Sequence, residues 1–305
     1  MIVRGNGSDG TIAHRKDLFP ARRSDMMKLA FSTNAFTRHS LDEALEQIAA
    51  AGYAGVEILA DKPHWYPAKF DKGEAVSIRR MLDKLKLKVS NVNANCTFGY
   101  FRDPPPEAFF EPSLISPVPK MRTDRIKMIQ NTLQFAKTIG AENISITSGK
   151  SLPTVAPEMA AKLLRENLMP VLETAEKLQV RVGFECEPGL FIEWATELRE
   201  LIDRVGSKML GANLDLGHSV VLGEDIPATI KLLGDRIWNC HIEDIPGRKH
   251  YHLIPGQGTM DWLAIKASLE RIAYDRFLTV ELYSYPDRPV EAARESIAYL
   301  GAVFG

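Results

Sequence analysis

Arg181-Val182-Gly183-Phe184-Glu185-Cys186-Glu187-Pro188-Gly189 is a short apolar run that ends in acids and stops at a Pro-Gly turn. It reads as a strand that delivers carboxylates to its C-terminal end. Three later segments repeat the design. They are Gly211-Ala212-Asn213-Leu214-Asp215, Ile237-Trp238-Asn239-Cys240-His241-Ile242-Glu243 and Phe277-Leu278-Thr279-Val280-Glu281-Leu282-Tyr283. Side chains alternate sides along a strand. Asn213 with Asp215, Asn239 with His241 and Glu243, and Thr279 with Glu281 therefore each share a face, with the apolar residues opposite. Glu185 and Glu187 share a parity too, and parity alone does not choose between them.

Outward from these four strands, the whole chain alternates short strands with longer helices. Strands are expected at 29–34, 55–59, 87–94, 143–147, 180–185, 209–215, 236–242 and 277–282. Helices are expected after Ser40-Leu41-Asp42-Glu43, a capping box, and at 74–85, 123–139, 157–178, 191–204, 226–233, 260–272 and 289–303. Pro170 falls inside the 157–178 helix, where it predicts a kink or a lost hydrogen bond. Repeated βα units demand a parallel sheet with right-handed crossovers. Eight of them in roughly 280 residues suit a single closed (βα)8 TIM barrel. A doubly wound open sheet is the alternative, but Ser32-Thr33-Asn34-Ala35-Phe36 offers no Gly-rich phosphate loop after the first strand.

Two stretches break the rhythm. Residues 1–27 are polar and lack an apolar period, so a disordered leader is expected there, with the barrel domain over 28–305. Residues 95–122 hold six prolines interleaved with aromatics and predict a long lid-like loop after the third strand.

Composition excludes several classes. The chain has 305 residues, 45% of them hydrophobic and 25% charged, which is a soluble globular balance. A formal net charge of −1 gives no electrostatic drive toward nucleic acid or an anionic membrane. No apolar run reaches the roughly 20 residues of a membrane span. Cys96, Cys186 and Cys240 are odd in number and lack any CxxC, so a reducing, cytoplasmic setting is expected and a thiolate zinc knuckle is not.

In a barrel of this kind chemistry sits at the C-terminal strand ends. Acids and a His gathered there call for a shared cation or a proton-transfer task. The expected metal ligands are Glu185, Asp215, His241 and Glu281. Three carboxylates and an imidazole suit Mn2+ first, with Co2+, Mg2+ and Zn2+ also accommodated. Such a metal would polarise a substrate carbonyl and stabilise an enediolate, while Glu185 or Glu281 removes a proton from carbon. Each residue alone also has an ordinary structural explanation as a cap, loop ligand or core histidine.

Several motifs, in this order, resemble those of the xylose isomerase-like barrel superfamily of sugar phosphate isomerases and epimerases and family 2 AP endonucleases. They are Gly52-Tyr53-Ala54-Gly55-Val56-Glu57, Phe184-Glu185-Cys186-Glu187-Pro188-Gly189, Leu214-Asp215-Leu216-Gly217-His218, His241-Ile242-Glu243-Asp244, Pro255-Gly256-Gln257-Gly258 and Val280-Glu281-Leu282-Tyr283. The resemblance covers Lys28 to the C-terminus. It implies the same four ligands, assigns Glu185 rather than Glu187 to the metal, and makes Glu185 and Glu281 the acid/base pair. His218 is the expected substrate-oxygen or second-metal histidine, Glu187 an expected substrate contact or support of the ligands, and His252, Glu57 and Asn95 are expected substrate contacts; for Glu57 a structural ion pair weighs equally. Many relatives pair through barrel faces, so a homo-oligomer is expected.

The function implied is a divalent-metal-dependent isomerase or epimerase of a small keto-sugar, polyol or sugar phosphate. Alternatives are a dehydratase of an inosose- or dehydroshikimate-like ring, an AP-endonuclease-like phosphodiesterase, and a non-catalytic binding barrel. The phosphodiesterase would need His ligands on early strands, where Asn34, Asn93 and Asn95 stand instead.

Overall fold

The computed structural model describes residues 27–95, 98–103 and 110–305. Eight parallel strands close into a barrel in sequence order: β1 (Lys28–Ser32), β2 (Gly55–Leu59), β3 (Lys88–Asn93), β4 (Asn143–Ile146), β5 (Arg181–Phe184), β6 (Leu210–Asp215), β7 (Ile237–Ile242) and β8 (Phe277–Val280). Around them lie α1 (Leu41–Ala51), α2 (Lys72–Leu85), α3 (Pro119–Ile139), α4 (Pro157–Leu178), α5 (Ala195–Val205), α6 (Leu216–Leu222), α7 (Ile226–Leu233), α8 (Trp262–Arg271) and α9 (Pro289–Phe304). Among the described residues, no helix is long and apolar enough to cross a membrane.

The strands alternate as the sequence requires. Phe31, Val56, Ile58, Ile144, Val182, Phe184, Cys240 and Val280 are fully buried in the apolar layer between sheet and helices. The opposite faces line a polar lumen that is closed by its own hydrogen bonds. Asn143 Nδ2 donates to Asn91 Oδ1 at 2.8 Å, and Asn91 Nδ2 donates to Ser145 Oγ at 2.8 Å. Asn239 Nδ2 donates to Asn213 Oδ1 at 2.8 Å, and Thr279 Oγ1 lies 2.9 Å from Asn239 Oδ1. A register shift in the β2–β3 pairing at Val56/Glu57 lets both Ser90 and Asn91 reach lumen partners, Thr279 and Glu57. Buried amides and hydroxyls are costly unless so paired.

Element ends differ from the sequence reading in physically simple ways. The first strand stops at Ser32, because Thr33–Phe36 forms a 3-10 turn whose Asn34 amide donates to Ser32 Oγ. β5 and β8 end just before Glu185 and Glu281, which fall on the strand exits. Helix α3 begins at Pro119, not Thr123: proline at the first helical positions has no amide to waste there. Helix α5 begins at Ala195, later than expected, after Glu197 accepts from the Glu193 and Trp194 amides. Helix α6 was not expected at all. The expected capping box at Ser40 is present, with Ser40 Oγ accepting from the Glu43 amide and Glu43 accepting from the Ser40 amide.

The leader (residues 1–26), and residues 96–97 and 104–109 of the loop after β3, lie outside the described residues. The described parts of that loop are pinned. Buried Asp61 accepts from the Phe98 amide at 2.9 Å and the Gly99 amide at 2.7 Å. Tyr100 Oη donates to Asp124 on α3 at 2.8 Å, and the Leu114 carbonyl accepts from Asn167 on α4 at 2.7 Å.

Candidate active site

The strand exits of β5 to β8 bring Glu185, Asp215, His241 and Glu281 together. All four are buried, and each offers a donor atom within 4.8 Å of the others. Glu187 is not in this group. It belongs to an adjoining one with Glu185 and His218, its Oε2 standing 3.6 Å from His218 Nε2. The two glutamates that parity left interchangeable are thus separated by depth.

Each donor of the group is aimed by a neighbour. His241 sits on β7 with Nε2 2.6 Å from Glu57 Oε2, so Nε2–H donates to that carboxylate. Its Nδ1 faces Glu185 Oε1 at 3.3 Å, Glu281 Oε1 at 3.7 Å and Asp215 Oδ2 at 3.9 Å. A carboxylate behind an imidazole fixes the tautomer and leaves the other nitrogen free to ligate. Glu57 has no exposed surface, and its carboxylate pairs with His241.

Asp215 ends β6 and caps α6. Its Oδ1 accepts from the His218 amide at 2.8 Å, which leaves Oδ2 toward the group. Glu185 Oε2 accepts from Asn213 Nδ2 at 3.1 Å and from Asn95 Nδ2 at 3.3 Å. Glu281 Oε1 accepts from Asn34 Nδ2 at 3.0 Å and Asn93 Nδ2 at 3.2 Å. The asparagines of the early strand ends, which stand where a phosphodiesterase reading would want histidines, are amide donors to the carboxylates of late strands. The sequence pointed to their positions but not to this role.

Glu243 is a second surprise. It is fully buried one residue past β7 and packs over Gly217, where an added Cβ would lie 1.6 Å from its Oε1. Burial, then the charge of Asp215, pushes its carboxyl well above the usual range. Held neutral, Glu243 adds no charge beside Asp215, while both of its own oxygens and Asp215 Oδ2 lack a hydrogen-bond partner among the described residues.

Electrostatics are dominated by carboxylates out of water. Burial opposes ionisation of Glu57, yet the adjacent His241 charge and hydrogen bond hold it below its usual range. His241 is buried too, but Glu57, Glu281 and Glu185 raise it well above an ordinary imidazole. Burial, with the charges of Glu185, Glu57 and Asp215, pushes Glu281 well up. Burial likewise raises Glu187 to about 7. His218, against its burial, is raised to about 9 by Asp215, Glu187 and Glu185. The ion pairs made by Glu185, Asp215 and Glu281 are with histidines. A divalent cation among these oxygens would relieve their repulsion and invert this balance. The donor set therefore fits a hard or borderline cation.

At the mouth, His218 Nδ1 bonds the Cys186 carbonyl at 2.9 Å, and His252 Nδ1 bonds the Glu281 carbonyl at 3.0 Å. Tyr283, about half exposed, lies over His252 with ring centroids 4.2 Å apart. Asp244 pins the loop that carries His250 and His252 back to the barrel. It accepts from the Gly256 amide at 2.8 Å, the Met260 amide at 3.1 Å and Trp262 Nε1 at 3.1 Å.

The fold and this mouth define a TIM-barrel enzyme whose late strands gather side chains that could hold a metal ion. The chain belongs to the xylose isomerase-like TIM barrel family, whose model matches residues 45–303. It is 24% identical over 277 residues to a fructoselysine 3-epimerase of Escherichia coli O157:H7, covering 89% of this chain and 96% of that protein. It is 25% identical over 258 residues to a 3-dehydroshikimate dehydratase of Pseudomonas putida, covering 80% of this chain and 36% of that longer protein. A solved IolI protein with a binding zinc atom has the same fold, with TM-score 0.73 at 20% identity, covering 91% of this chain and 98% of that one. The chain is an enzyme of the sugar isomerase and epimerase type.

Proposed function

We propose that this protein is a divalent-metal-dependent isomerase or epimerase that moves a proton on a small keto-sugar, polyol or sugar phosphate through an enediolate. One observation carries the reading: Glu185, Asp215, His241 and Glu281 converge within 4.8 Å, each oriented by a hydrogen-bond partner. These four would hold the metal, with Mn2+ first and Co2+, Mg2+ or Zn2+ next, and it would supply Lewis-acid polarisation of a substrate carbonyl.

The chain's own groups do the proton work. Glu281 and Glu185 exit β8 and β5 with β6 and β7 between them, and act as the acid/base pair at the carbon beside the carbonyl. Asn34 and Asn93 fix one oxygen of Glu281, while Asn95 and Asn213 fix one oxygen of Glu185. The second oxygen of Glu185 faces His241 Nδ1 at 3.3 Å, and that of Glu281 lies 3.7 Å from His252 Nδ1. His218, His252 and Glu187, at the mouth, hold substrate hydroxyls.

The test is Glu281→Gln. This amide swap should abolish exchange of substrate hydrogen with solvent deuterium and leave the fold intact, with metal content counted in parallel because Glu281 is also one of the four proposed ligands. If the variant exchanges at the wild-type rate, the acid/base assignment falls. The substrate itself is to be found by screening keto-sugars, inososes and their phosphates with Mn2+. The similarity to a 3-dehydroshikimate dehydratase supports a second reading, in which the same proton removal expels a β-hydroxyl. Loss of water from the product separates the two.

A further inference from the structure

Helix α3 carries a charge where its periodicity asks for none. Arg125, Ile129, Thr132 and Ala136 follow one another along its inner face, and all four are buried. Arg125 is only 3% exposed. A guanidinium in such a place is costly unless its hydrogen bonds are met, and an apolar side chain of similar volume would fill the space without that cost. One of its hydrogen bonds reaches the end of β3: Arg125 Nη1 donates to the Ala94 carbonyl at 2.7 Å.

Ala94 stands between the two asparagines that serve the carboxylates. Asn93 Nδ2 donates to Glu281 Oε1 at 3.2 Å, and Asn95 Nδ2 donates to Glu185 Oε2 at 3.3 Å. The backbone around them is tied down group by group. The Asn93 carbonyl accepts from the Ala60 amide at 2.8 Å, and the Ala94 amide donates to the Ser145 carbonyl at 2.9 Å. The Asn95 amide donates to Asn93 Oδ1 at 3.1 Å. The β3–β4 pairing ends at Asn93 and Ser145, and beyond that pair the Ala94 carbonyl is met by Arg125. That carbonyl and the Asn95 amide belong to one planar peptide unit. A turn of this unit would break the bond to Asn93 Oδ1 and shift both asparagine side chains at once.

We propose that Arg125 is a positioning residue for the acid/base pair, a role that rests on the functions proposed above for Glu185 and Glu281. It acts through the Ala94–Asn95 peptide. Arg125 holds that plane, the plane holds Asn93 and Asn95, and the two side-chain amides aim the two carboxylates. Arginine suits the task because its donors are fixed in a rigid planar fork, whereas a lysine offers a point charge on a flexible stem. A helix of the outer layer thereby reaches both proton-transfer groups through a single peptide unit.

The experiment reads the two asparagines directly. Their side-chain proton–nitrogen correlation signals are recorded on the metal-free full chain, each assigned by its loss in Asn93→Ala or Asn95→Ala. In Arg125→Met both signals should move, and their exchange with solvent should quicken. Arg125→Lys keeps the charge and a donor, so it should show the same change at smaller size, and it decides the matter should Arg125→Met not fold. Mn2+ affinity, from competition with a chelator, is the second readout. Arg125→Met should lower it about 10-fold in the wild-type chain. In a chain that already carries Asn93→Ala and Asn95→Ala the same substitution should change it less than about 2-fold, because residues that act through one another are not additive, although melting falls in both chains. Unmoved asparagine signals in a folded variant overturn the proposal. So does an affinity change of the same size in both chains. Moved signals in a protein whose wild type takes up no Mn2+ keep the positioning role and remove the metal from the proposed function.

Discussion

Glu57→Gln isolates what the carboxylate behind His241 contributes. Two donors meet on one oxygen of this side chain: His241 Nε2 at 2.6 Å and Asn91 Nδ2 at 2.7 Å. The other oxygen, Oε1, has no partner at full hydrogen-bond geometry among the described residues, and the Ser32 hydroxyl is the polar group beside the carboxylate. A glutamine can therefore turn its carbonyl to both donors and place its NH2 where no hydrogen bond is lost. Shape and hydrogen bonds survive, and only the negative charge goes. That charge raises the basicity of His241 and fixes the tautomer that turns Nδ1 to the other three donors. Removing such outer support typically costs about 10- to 100-fold in metal affinity, or about 1.4–2.7 kcal/mol. Glu57→Ala differs in kind. It strands two buried donors at about 1–3 kcal/mol each, so it should also lower the melting temperature clearly. The assay is competition for Mn2+ against a chelator of known affinity, with thermal melting as the control. A folded Glu57→Gln protein whose Mn2+ affinity stays within a factor of about two of wild type would refute this chain of reasoning.

Gly217→Ala puts a methyl 1.6 Å from Glu243 Oε1. Overpacking should cost about 1–3 kcal/mol in denaturant unfolding, and Glu243→Ala in the same chain should recover part of it; no recovery would mean the clash lies elsewhere. Asp244→Ala strips the acceptor from the Gly256 and Met260 amides and Trp262 Nε1. It should destabilise the protein by about 3–5 kcal/mol and expose the His250–His252 loop to protease, and unchanged proteolysis would count against the anchor. His64 is buried enough that its imidazole is lowered to about 4 from an ordinary 6.5, with its Nε2 3.3 Å from the Phe36 carbonyl. A depressed histidine binds its proton more readily when unfolded, so its stabilising effect is complete above the unfolded value and fades as pH falls toward 4. That loss is at most about 3 kcal/mol, and a His64→Asn stability profile that parallels wild type from pH 7 to 4 would exclude the effect.

The barrel and the convergence of four strand-exit side chains are legible in the sequence for one physical reason. A parallel barrel strand must show alternating apolar and lumen-facing residues, and an acid at its exit has to be explained by chemistry or capping. Glu185, Asp215, His241 and Glu281 satisfy that test together. The rest depends on contacts between distant strands. Asn34, Asn93 and Asn95 look like ordinary loop formers, and only closure of the barrel carries β1 and β3 to Glu281 and Glu185. Glu243 shares the parity of His241, but its contact with Asp215 depends on a bare Gly217 on the neighbouring unit. Helix α6 is seven residues long and begins at the cap Asp215. Its sequence reads as the tail of a motif rather than as a helix. Pro119 reads as the end of a proline-rich loop, although as a first-turn residue it opens α3.

The choice of asparagine as the orienting residue has a consequence for the chemistry. An arginine or lysine at positions 34, 93 or 213 would also hold the glutamates, and would neutralise them while doing so. A side-chain amide donates a hydrogen bond with no net charge. Glu185 and Glu281 are thus held in a fixed orientation by groups that add no positive charge of their own. Glu57 spends its charge on the far nitrogen of His241, and Glu243, kept neutral, adds none beside Asp215. The lumen below is closed by amides and hydroxyls that have already met their own needs. The result is an oriented set of carboxylates in which burial and mutual repulsion push Glu281 up, while their charges raise His241 against its own burial, and a divalent cation at this point would relieve that repulsion and favour their charged forms.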